Sequence, residues 1–71
     1  MVRDDVFKGM WKQLRGEARL RWGKLTDSEL DQVKGERDIL LGLLQKKYGY
    51  AREKADREIE ELLHKVREPS K

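Results

Sequence analysis

Apolar side chains recur at Phe7, Met10, Trp11, Leu14, Ala18, Trp22 and Leu25, a spacing of three and four residues that sets them on one stripe of a helix. The pattern predicts a first helix over about residues 5–22, with Asp4 or Asp5 capping its start and Gly23 as its stop. Thr26-Asp27-Ser28-Glu29 then reads as a capping box, in which hydroxyl and carboxylate each satisfy a backbone N–H left over at a helix start. It opens a short second helix over about 27–33 that carries Leu30 and Val33.

Gly35 separates that helix from a third, over about 36–48, where Leu40, Leu41, Leu44 and Tyr48 share one face while Ile39 and Leu43 lie on another. A helix apolar on two sides is either central or turns its second side to a partner. Gly49 closes it. The fourth helix, over about 51–67, repeats Ala51, Ala55, Ile59, Leu62, Leu63 and Val66 on one side. Glu53 with Arg57 and Glu61 with Lys65 stand at i, i+4 in the favourable order. Residues 68–71, with Pro69, read as a frayed tail.

The glycines add a second period. All six fall in two triplets spaced by seven, Gly9, Gly16, Gly23 and Gly35, Gly42, Gly49, offset by twenty-six residues. The same offset matches Lys8 with Lys34, Leu14 with Leu40 and Trp22 with Tyr48. Each block is followed by a polar turn and another helix, so the chain reads as one all-α domain over 1–71, a small four-helix bundle of two helical hairpins with approximate internal symmetry. Two units are too few for a solenoid. Gly16 and Gly42 fall inside helices, where each costs about 1 kcal/mol relative to alanine. Close helix approach is the simplest compensation; a pliable helix that orders on a partner is the alternative.

Composition narrows the function. A chain this short buries only about 60% of its unfolded surface. Hydrophobic residues are 37% and charged residues 44%, which suits amphipathic helices with charged outer faces. Without cysteine there are neither disulfides nor thiolate metal sites. The N-terminus shows no signal-peptide core, and no run approaches the roughly 20 apolar residues of a membrane span, so a cytoplasmic location off the membrane is the expectation. Net charge is +3, and the surplus lies early: residues 1–25 carry seven basic and three acidic side chains.

The blocks Trp11-Lys12-Gln13-Leu14-Arg15-Gly16, Trp22-Gly23-Lys24-Leu25-Thr26-Asp27, Gly35-Glu36-Arg37-Asp38, and Gly42 with Tyr48-Gly49-Tyr50 closely resemble the CsbD-like family of bacterial general stress-response proteins. The resemblance covers about residues 7–60. It implies four helices in two roughly orthogonal hairpins and a small cytoplasmic protein accumulated under osmotic or related stress. It implies no assigned activity and supplies no catalytic or ligand residues. Leu20, Ile39 and Leu43 stand where the family tends to place polar residues, which makes them candidates for self-association, as a monomer or weak homodimer.

Lys8, Lys12, Arg15 and Arg19 form one basic flank on the first helix, a candidate polyanion-binding stripe whose simpler reading is a solvated face. Trp11 and Trp22 lie on the apolar stripe, where burial competes with base stacking. Asp56, Glu60 and His64 stand at i, i+4, i+8, but one histidine with two carboxylates on a charged helix face makes a weak metal site, and none is assigned. No nucleophile has a positioned base, no carboxylate pair sits in an apolar stretch, and no glycine loop has phosphate-cradling spacing. The sequence therefore predicts a non-enzymatic protein without cofactor that binds or protects an unidentified macromolecule, with nucleic acid as the alternative partner.

Overall fold

The structure is a computed structural model that describes residues 2–67. Five helices follow one another, α1 (Val2–Gly9), α2 (Trp11–Arg21), α3 (Asp27–Val33), α4 (Arg37–Tyr48) and α5 (Arg52–Arg67), and no strand occurs among the described residues. The tail expected over 68–71 lies outside them.

The single first helix expected over 5–22 is two helices, so five elements replace the four expected. The break falls at Met10, which leaves helical geometry with φ −102° and ψ 5°. It is a local dislocation. The Met10 N–H still donates to the Val6 carbonyl at 3.0 Å, and the Met10 carbonyl accepts from the Leu14 N–H at 2.8 Å. Gly9, with no side chain to hold the preceding turn, supplies the weak point. Asp4 and Asp5, expected as caps, lie inside α1, which already begins at Val2.

Gly23 does not take the left-handed conformation of a helix stop; α2 ends at Arg21 with Trp22 as its cap at φ −122°. Left-handed geometry appears instead at Lys34 and Gly35, with φ 51° and 79°, and at Gly49, with φ 70°. Gly35 is also a close approach, since a Cβ added there would stand 3.1 Å from the Lys8 Cγ. The capping box forms in full: the Glu29 N–H donates to the Thr26 hydroxyl at 3.1 Å, and the Thr26 N–H to the Glu29 carboxylate at 3.0 Å.

Each helix contributes to one core. Phe7 comes from α1, Leu14 and Ala18 from α2, Leu30 and Val33 from α3, Leu40, Leu41 and Leu44 from α4, and Ala55, Ile59, Leu62 and Leu63 from α5. Trp22 and Leu25 enter from the α2–α3 connection. Helix α5 packs on both α2 and α4, while α3 packs on α2 and α4 from elsewhere. The radius of gyration is 11.2 Å, close to the ~11 Å of a packed chain of this length.

Gly16 and Gly42 do not mark close helix approaches, contrary to the simplest reading of the sequence. Both are exposed, and an added Cβ would meet nothing within 4 Å at either position.

Candidate functional site

The basic flank of the first helix is spread over α1 and α2, and three of its four members face carboxylates across helix seams. Lys8 stands 3.8 Å from Glu36. Arg15 pairs with Asp31 and donates to the Asp27 carbonyl at 3.4 Å, and Arg19 pairs with Asp27. Lys12 is exposed with no partner among the described residues. Two arginines four apart on α2 thus meet two aspartates four apart on α3, a ladder that aligns the helices. Each pair is exposed and worth at most about 1 kcal/mol.

The most buried charge is Arg37, an unexpected feature. Its side chain is 9% exposed, and its guanidinium reaches Asp56 at 2.6 Å and Glu60 at 2.9 Å on α5. A buried guanidinium requires such partners because an unpaired charge in a core is strongly unfavourable. Its Nε makes no hydrogen bond. Asp56 and Glu60 are therefore joined to Arg37 rather than grouped with His64, and no group of three metal-ligating side chains occurs among the described residues. The signal was present in the sequence: Arg37 precedes Leu40, Leu41 and Leu44 by three, four and seven residues, on the buried face of α4.

The charges of α5 also reach outward rather than along their own helix. Glu61, expected to pair with Lys65, binds Arg21 at 2.6 Å, and Arg21 holds Glu58 at 3.1 Å as well. Lys65 turns to Glu17 at 3.5 Å. On the α3–α4 side, Lys47 bonds Glu29 at 2.9 Å. The Thr26 backbone N–H and the Lys47 ammonium hold the Glu29 carboxyl below its ordinary value of 4.5.

Among the apolar candidates, Leu20 is 81% exposed and Ile39 43% exposed. Leu43 is half-buried against the core. Leu20 lines a cleft of about 150 Å³ with Glu17, Arg21, Leu62 and Lys65, between α2 and α5, whereas Ile39 and Leu43 lie one turn apart on α4. A second cleft, of about 190 Å³, is lined by Asp5, Lys8, Gly35, Glu36, Arg37 and Asp38.

The aromatic residues divide similarly. Trp22 is buried, while Trp11 is half-buried and stacks on Phe7 with ring centroids 5.4 Å apart. At the far ends of α2 and α4, the Lys24 N–H donates to the Tyr48 hydroxyl at 3.1 Å. Tyr48 stacks on Tyr50 at 5.3 Å. No helix is long and apolar enough to cross a membrane among the described residues.

These features define a class: a small all-helical protein whose ionic groups are spent largely on joining helices around one core. Within it the chain belongs to the CsbD-like family, whose model matches residues 5–57. It is 47% identical over 55 residues to a UPF0337 protein of Pectobacterium atrosepticum, covering 78% of this chain and 80% of that one. A UPF0337 protein of Bordetella pertussis is 45% identical over 60 residues, 84% of this chain and 91% of the relative. The UPF0337 protein YjbJ of Salmonella typhimurium is 41% identical over 59 residues, 83% and 84% of the two chains. No solved structure matches the chain.

Proposed function

We propose that this is a non-enzymatic bacterial stress-response protein of the cytoplasm that acts by binding or protecting other macromolecules. The observation that supports it is the disposition of its charged groups. Many of the arginine, aspartate and glutamate side chains that could serve chemistry are paired across helices instead, and two clefts lined by described residues, at about 190 and 150 Å³, fall below the ~300 Å³ at which ligand pockets begin. Family membership supports the same reading. The offset of twenty-six, which takes the first residue of α2 onto the first residue of α4, supports two related halves within the fold.

The test is protection of a heat-labile client protein from aggregation, alongside a panel of phosphoester, ester and glycoside substrates. Protection without turnover is the expected result. Turnover abolished by one substitution in this chain overturns the proposal.

A second reading, polyanion binding along Lys8, Lys12, Arg15 and Arg19, is favoured by Lys12, exposed without a partner among the described residues. Binding of nucleic acid that survives replacement of all four by glutamine removes it. Weak self-association, through the exposed Leu20 on α2 or through Ile39 and Leu43 on α4, is decided by sedimentation at high concentration.

A further inference from the structure

The strongest unassigned cluster lies at the end of the molecule opposite the α1 break, where the two [Trp/Tyr]-Gly turns meet. The Lys24 ammonium stands 5.2 Å from the centroid of the Tyr48 ring, and the Lys54 ammonium 5.0 Å from that of Tyr50. The two rings lie 20° from parallel with their centroids 5.3 Å apart, and the bond from the Lys24 N–H to the Tyr48 hydroxyl fixes one turn against the other. Neither lysine has a carboxylate partner among the described residues. Of the acidic side chains near them in sequence, Asp27 is engaged with Arg19, Asp56 with Arg37 and Glu58 with Arg21, while Glu53, next to Lys54, is exposed without an ion-pair partner among the described residues.

We propose that Lys24, Tyr48, Tyr50 and Lys54 form a binding site for single-stranded nucleic acid, with a base stacked on a tyrosine ring and the lysines on the adjoining phosphates. The proposal rests on the binding reading above and names its partner. It places the contact at this end rather than on the first-helix stripe, because the charges here are not already neutralised. A phosphate arriving at Arg15 or Arg19 must displace an aspartate, whereas at Lys24 and Lys54 it displaces only the ring contact and mobile counterions.

Stacking of a base on an aromatic ring outweighs an exposed lysine–ring contact, so the base takes the ring and the lysine, on its flexible stem, turns to the backbone. Gly23 and Gly49 flank the cluster, and both are exposed. Rings used in this way select single strands, since the bases of a duplex are already stacked on each other. Sugar type matters little to stacking and phosphate contact, so RNA and DNA share the site.

The test is fluorescence anisotropy of labelled oligothymidylate and oligouridylate with the full chain at low and moderate salt. Expected is salt-dependent binding of both, weakened about tenfold by Tyr50→Leu and by the double variant K24Q/K54Q. The variant K8Q/K12Q/R15Q/R19Q should bind nearly as well as the parent. Tyr50→Leu keeps apolar bulk against the core, and circular dichroism confirms that each variant is folded; should Tyr50→Leu unfold, K24Q/K54Q alone decides. Absence of binding at low salt overturns the site, as does a duplex that binds equally well, or loss of binding in the stripe variant but not in K24Q/K54Q. None of these bears on client protection, which judges the broader reading separately.

Discussion

Arg37 on α4 and Asp56 on α5 meet at 2.6 Å around a guanidinium that is almost fully buried, while the carboxylate it faces remains partly open to water. The asymmetry fixes which partner is costlier to lose. Removing both carboxylates with D56A/E60A strands a buried cation and should destabilise the protein by about 3 kcal/mol. Arg37→Met leaves two carboxylates that water can solvate and should cost about 1 kcal/mol or less. Urea unfolding of the two variants orders them, and the reverse order contradicts the account.

Gly16 and Gly42 offer the opposite outcome. Each is exposed, with no positive φ and open space for a methyl group, so Gly16→Ala and Gly42→Ala should each stabilise the fold by about 0.5–1 kcal/mol. Gly35→Ala should instead destabilise it, by about 1 kcal/mol or more, because its φ is 79° and Lys8 blocks the Cβ. Shifts of the urea midpoint in opposite directions are the check.

The Glu29 carboxyl sits below its ordinary value of 4.5, principally through the Thr26 N–H and also through Lys47. A depressed acid contributes stability that is present above 4.5 and is lost as pH falls from there through the folded-state value. Glu29→Gln should therefore be less stable than the parent at neutral pH and should lose less on acidification below 4.5. Thermal unfolding at neutral and acid pH measures this difference of slopes.

Replacing Arg15 or Arg19 by glutamine should cost less than about 1 kcal/mol, and less still in high salt, because both pairs with the aspartates of α3 are exposed. A large, salt-insensitive loss would show that the ladder does more than align α2 with α3.

Much of this architecture was legible as pattern. The apolar period gave the helices, and Thr26 with Glu29 gave the start of α3 through a chemistry that is local to four residues. The break at Met10 was hidden by that same period, since Phe7, Met10, Trp11 and Leu14 keep one stripe across it. The repeat carried the missing information. Lys8-Gly9 aligns with Lys34-Gly35, where the chain plainly changes helix, and α2 begins at the position equivalent to the start of α4.

The ionic partners were legible only in part. Arg15 and Arg19 share a spacing of four with Asp27 and Asp31, but intrahelical pairs such as Glu61 with Lys65 show the same spacing. Which partner wins depends on how helices lie together, and a spacing rule cannot express that. The position of Arg37 on the apolar face of α4 was legible, but its burial was not, because arginine reads as surface until the carboxylates of α5 are known to reach it.

The place of α5 in the core bears on the order in which the fold can be made. Ala55, Ile59, Leu62 and Leu63 belong to the same cluster as Leu14, Leu30 and Leu40, so the segment synthesised last among these helices completes the interior. Until it emerges from the ribosome, the helices ahead of it have an open apolar side and Arg37 has neither of its carboxylates. The interior is therefore completed only when α5 arrives, and before that the apolar side it covers is the nascent chain's sticky surface.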